Sequence, residues 1–174
     1  MKITRKFFLF VAIVGFCLSS TVRAQDRPPH EVHAMMIYNF LKYIQWPGEQ
    51  NSGEFVIGVI GEDAVFKTLT EWYGNKTRGD KNFVIKKFSS AGEVADCQLL
   101  YIGKAASSQF DQIQAKVQNT STLTITDKSG LGEKGSCINF KVVDSRLKFE
   151  LNQAAMERSK LKISSQLTAM AILI

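Results

Sequence analysis

Side chains able to do chemistry are few and scattered along this chain. His30 and His33, the two histidines, lie one helical turn apart. H-E-V-H lacks the spacing of the metal-binding H-E-x-x-H helix, and neither a cysteine nor a further histidine is placed to complete a ligand set, so no metal is expected. Asp63, Asp96, Asp127 and Glu150 are isolated carboxylates that give no acid and base pair. No Ser, His and Asp arrangement appears, because both histidines precede the body of the chain. No catalytic residue is therefore assigned. Gly58-Val59-Ile60-Gly61 does not have the spacing of a dinucleotide fingerprint and no G-K-[ST] is present to cradle phosphate, so no cofactor is expected. Those glycines suit close packing and a strand-to-helix turn. The glycine-rich run from Asp127 to Gly135 reads as a flexible loop, placed where a lip could form at the C-terminal edge of a sheet.

The elements that must position these groups are legible from hydrophobic periodicity. From His30 to Trp46, Val32, Met35, Met36, Phe40, Tyr43 and Ile44 recur at helical spacing, and Pro47-Gly48 ends the helix. Strands at Phe55 to Ile60, Phe83 to Phe88, Cys97 to Ile102 and Thr122 to Thr126 alternate with helices at Asp63 to Tyr73, Ala91 to Ala95 and Ala105 to Val117. Such βαβ alternation forces parallel strands with helices on both faces. Ile138, Phe140 and Val142, then Leu147, Phe149 and Leu151, alternate with polar residues around Asp144-Ser145, which is a β-hairpin with one oily and one polar face. Asn152 is placed to cap a helix through Lys160, and Ser164 or Ser165 to cap another carrying Leu167, Met170, Ala171 and Ile172. The expected fold is a small three-layer α/β sandwich whose mostly parallel sheet ends in a C-terminal antiparallel hairpin.

Residues 1–24 read as a secretory signal: a basic start at Lys2, Arg5 and Lys6, an apolar run from Phe7 to Leu18, and Val22-Arg23-Ala24 before cleavage. The apolar run is too short to span a bilayer comfortably. Removal of Lys2, Arg5, Lys6 and Arg23 takes the formal charge from +6 to +2, which withdraws the main support for a nucleic-acid partner. Residues 25–174 then form one domain. Export leaves Cys97 and Cys137 in an oxidising compartment, where a disulfide and two buried free thiols are both open; a bridge requires neighbouring strands and Cα atoms within about 7 Å.

Several blocks, in order, resemble one family. Tyr38-Asn39-Phe40-Leu41-Lys42-Tyr43 with Trp46-Pro47, Phe55-Val56-Ile57-Gly58-Val59-Ile60-Gly61, Leu99-Leu100-Tyr101-Ile102-Gly103, Arg146-Leu147-Lys148-Phe149-Glu150-Leu151-Asn152 and Leu161-Lys162-Ile163-Ser164-Ser165-Gln166-Leu167 look like the YfiR-like proteins, periplasmic regulators of bacteria. That resemblance implies a periplasmic, non-enzymatic binding protein that represses an inner-membrane diguanylate cyclase of the YfiN type, and so limits cyclic di-GMP synthesis. A histidine kinase or another envelope receptor is the alternative partner, solute capture at the sheet edge is compatible with either, and a small exported hydrolase is a further alternative. Glu150 and Asn152 on the polar hairpin face, with Asn39 and Lys42 on the first helix, are the expected contact residues. Whether the product forms a homodimer stays open.

Overall fold

A computed structural model describes residues 27–48 and 53–174; the expected signal segment lies outside the described residues. In chain order the elements are α1 (Pro29–Phe40), β1 (Ile44–Gln45), β2 (Glu54–Ile60), α2 (Asp63–Tyr73), β3 (Thr77–Arg78), β4 (Lys81–Phe88), β5 (Leu99–Ile102), α3 (Phe110–Val117) and β6 (Leu123–Thr126). They continue as β7 (Ile138–Val143), β8 (Arg146–Leu151), α4 (Gln153–Arg158), β9 (Lys162–Ile163), α5 (Ser165–Met170) and β10 (Ile172–Leu173). Ten of these strands make two sheets: an eight-stranded one in the order β10-β8-β7-β6-β5-β2-β4-β3, and a small β1-β9 pair.

The centre of the large sheet is parallel, β4-β2-β5-β6-β7, and antiparallel pairing returns at β7/β8 and β3/β4. β2 carries an unbroken buried run, Phe55 to Ile60, as a strand covered on both faces must. Side-chain alternation then divides the core. Phe55, Ile57, Val59, Leu99, Tyr101, Leu123, Ile125, Ile138 and Phe140 face α1, α2, α4 and α5, whereas Val56, Ile60, Leu100 and Ile102 face Phe110, Ile113 and Val117 of α3. The sheet therefore lies between two helical layers, the sandwich expected from the βαβ pattern.

Two of the expected helices give way to strands at their C-terminal ends. α1 stops at Phe40, and Ile44-Gln45 is instead a strand paired with Lys162-Ile163, a contact between residues far apart in the chain. The buried face of α1 is His33, Ala34, Ile37 and Phe40, so Val32 and Met35 fall off the packed stripe. The terminal helix ends at Met170, and Ile172-Leu173 pairs in parallel with Glu150-Leu151 to form the sheet's edge. Asn152 and Ser164 do cap their helices, accepting from Ala155 N and Leu167 N at 2.8 and 3.2 Å.

Candidate functional site

β2 leads to β4 on one side, and the chain then crosses back to β5 on the other, so the strand order reverses between β2 and β5. Open α/β sheets bind ligands outside the carboxyl ends of strands near such a reversal. Here that point is filled. Gly61 sits at φ +76°, and a Cβ there would lie 2.5 Å from Ala106 N, while Gly103 N donates to Ile60 O at 2.8 Å. The space opens further along the same edge, past β6, as a groove of about 360 Å³ lined by His33, Lys104, Asp127, Lys128, Ser129, Phe140, Lys141, Val142 and Leu147.

Beneath this groove the structure joins residues that the sequence keeps far apart. The Tyr101 hydroxyl donates to Asp127 Oδ2 at 3.0 Å and lies 3.0 Å from His33 Nδ1. With its one proton committed to the carboxylate, it accepts from the Nδ1–H of a neutral imidazole. The His33 ring stacks on Phe140, with centroids 4.5 Å apart and planes 4° from parallel. Burial, then the Lys104 charge, then His30 lower the His33 pKa from 6.5 to about 4, which keeps it neutral. Burial raises Asp127 against the hydrogen bond from Tyr101 and the charge of Lys104, and its Oδ1 is buried with no hydrogen-bond partner. Burial, with the Asp127 charge, pushes Tyr101 far up, and its side chain is fully enclosed. This chain of hydrogen bonds ties α1 to the ends of β5 and β6. It supplies a rigid polar floor and no nucleophile, since the phenol cannot ionise near neutral pH.

The β7-β8 hairpin is two different structures along its length. Near its base, both faces are covered. Ile138, Phe140, Phe149 and Leu151 join the core, and on the other face Thr126 Oγ1 donates to Asn139 Oδ1 (2.7 Å), Asn139 Nδ2 to Glu150 Oε2 (2.8 Å) and Lys141 Nζ to Glu150 Oε1 (2.6 Å). Burial disfavours the Glu150 carboxylate, yet the bonds from Lys141 and Asn139 hold its pKa below the usual value. The loop after β6 lies on this ladder instead of standing free: Leu131 is buried, and a Cβ on Gly132 would come 2.8 Å from Glu150 Oε2. Beyond α1 the tip projects, with Val142 69 % exposed and Leu147 half-buried. Asp144 and Ser145 both adopt left-handed backbone, at φ 50° and 59°, the two-residue turn that matches strand twist.

The expected contact residues therefore separate. Glu150 is 5 % exposed and belongs to the internal ladder, which corrects its placement on a solvent-facing polar surface. Asn152 caps α4 and donates to Gly132 O at 2.9 Å, so its side chain is likewise used within the fold. Asn39 on α1 and Lys42 in the turn after it are exposed, and Lys42 Nζ donates to Asn39 Oδ1 at 2.8 Å. Of the two alternatives open for Cys97 and Cys137, the structure has the second: both are free buried thiols. β6 separates the strands they precede, and Cys97 packs with α3 while Cys137 packs in the opposite core, so one sheet thickness divides them. Burial pushes the Cys97 thiol up to about 12, away from thiolate chemistry.

Two signals for this arrangement were present in the sequence. The hairpin register places Asn139 opposite Glu150, so a buried partner for the glutamate follows once the hairpin is drawn. His33 lies at helical spacing with Ile37 and Phe40, which marks it as a face residue of α1. Among the described residues no group of three or more His, Cys, Asp or Glu could hold a metal, and no helix is long and apolar enough to cross a membrane.

The fold is shared with the crystal structure of a conserved domain protein from Vibrio cholerae, at TM-score 0.56 and 13% identity over 85% of this chain. This chain spans 60% of the length of that one. Among curated proteins none matches. The family model described as YfiR/HmsC-like matches residues 30–172, which takes in every element from the polar floor under the groove to the hairpin and its capping helices; the chain belongs to that family.

Proposed function

We propose that this chain is an exported, non-enzymatic regulator that represses an inner-membrane diguanylate cyclase by touching its periplasmic segment. Membership of the YfiR/HmsC-like family supports a regulatory role directed at membrane signalling proteins. Within the fold, one observation carries the reading: the oily face of the hairpin continues past the helix that covers it, leaving Val142 and Leu147 at a projecting tip. Apolar side chains held out on a rigid hairpin, with charged neighbours Lys141, Arg146 and Lys148, have the composition of an interface centre and its rim. Asn39 at the end of α1 and Lys42 in the turn after it lie on a separate exposed surface and extend the candidate contact; Glu150 and Asn152 act indirectly, by fixing the hairpin and the helix after it.

A hydrolase has less support. In the one His, Tyr and Asp constellation among the described residues, the Tyr101 hydroxyl is buried and held protonated. The experiment is intracellular cyclic di-GMP in a deletion strain. Deletion should raise the pool, the wild-type chain should restore it, and a Val142→Asp, Leu147→Asp chain of normal stability should not. A pool indifferent to deletion, together with altered output from an envelope histidine kinase, would transfer the same contact to that other partner class.

A further inference from the structure

We infer that the groove at the C-terminal edge of the sheet is a binding site for a small anionic amphiphile, a carboxylate head carrying a short apolar chain. Its volume, about 360 Å³, falls in the range of pockets that enclose small molecules. The lining divides by chemistry. Phe140, Val142 and Leu147 form an apolar wall, and the other side carries Lys104, Lys128 and Lys141 against the single acid Asp127. Lys141 is engaged by Glu150, Lys128 Nζ donates to the neutral Ser107 Oγ at 3.2 Å, and Lys104 acts on Asp127 at a distance with no ion pair between them among the described residues, so the lining keeps a net positive charge. A cationic rim over an apolar wall, in a site partly closed from water, favours an anion whose tail replaces water on Phe140 and Val142. A neutral molecule of the same shape would gain nothing from the lysine charges, and a cation would be repelled.

The floor of the groove is built to hold still. His33 is pinned between Phe140 and Tyr101, and Tyr101 in turn holds Asp127, so the apolar chain would meet fixed groups at the base while the carboxylate head meets the exposed lysines at the mouth. Binding requires nothing of the regulated partner and stands whichever signalling protein that is.

Octanoate is the probe, titrated calorimetrically into the chain lacking residues 1–24, with octanamide and octylamine as neutral and cationic matches. Octanoate should bind at least about tenfold more tightly than octanamide, and octylamine should not bind. Lys104→Gln with Lys128→Gln should weaken octanoate by at least about tenfold while leaving the melting temperature within a degree or two. Leu147→Asp, a second and independent variant on the apolar wall, should abolish it. Equal affinity for octanoate and octanamide, unchanged affinity in the double lysine variant, or no binding of octanoate at millimolar concentration would overturn the site. A lipid source is separated by vesicles of phosphatidylglycerol: retention on them that octanoate does not compete away would also overturn it.

Discussion

The two edges of the parallel sheet are built on different principles. At the N-terminal edge, Trp46 Nε1 donates to Gln98 O at 2.9 Å, and the Gln98 side chain accepts from Val56 N at 2.7 Å. Arg78 reaches across to Ile44 O at 2.8 Å and lies 4.8 Å above the Trp46 ring. A cavity of about 320 Å³ there is lined by one lysine and one aspartate among mostly neutral residues, so its charge is balanced. At the C-terminal edge a cavity of similar size has an excess of lysine and an exposed apolar tip beside it. Volume does not distinguish them. What differs is the charge balance of the lining and the exposed apolar tip beside it, and on the proposed reading one edge serves stability and the other recognition.

Substitutions sharpen the contrast, and the largest effect is expected at the N-terminal edge. Trp46→Ala removes a 7 % exposed indole and should cost about 3–5 kcal/mol in urea unfolding, whereas Val142→Ala at the opposite end should stay within about 0.5 kcal/mol. Acid should act next, through His33. Its folded pKa is about 4 against 6.5 unfolded, so below pH 6.5 the unfolded chain takes up a proton that the folded chain refuses. Stability is then complete above pH 6.5 and falls between pH 6.5 and 4, by at most about 3 kcal/mol; the difference between the wild-type and His33→Phe stability profiles isolates this contribution. Glu150 follows, since Glu150→Ala strands Asn139 Nδ2 and should cost about 1–3 kcal/mol by urea unfolding. The smallest structural effect belongs to Lys104→Gln, Lys128→Gln, where exposed side chains leave stability within about 0.5 kcal/mol while binding is lost. As a separate check on the sheet geometry, thiol titration without reductant should find Cys97 and Cys137 silent in the native protein and both reactive once unfolded.

The edges also differ in how far the sequence discloses them. Local signals announce their elements well. The helix at Asp63–Tyr73 has the expected bounds, the parallel strands fall within two residues of expectation, and the caps at Asn152 and Ser164 are readable from side-chain chemistry alone. Long-range pairings leave no such trace. Ile44-Gln45 looks like the tail of a helix until Lys162-Ile163 arrives beside it, and Ile172-Leu173 continues a helical stripe until β8 offers it an edge. The polar floor was hidden for the same reason: His33, Tyr101 and Asp127 meet only because α1 crosses the ends of β5 and β6, and no spacing within the chain encodes that crossing.

The division between the edges is tested most directly by a photo-crosslinking residue placed in living cells at Val142 and, separately, at Pro47, both exposed. The account predicts an adduct with an inner-membrane signalling protein from position 142 and none from position 47. An adduct from position 47 alone, or none from either, would contradict it.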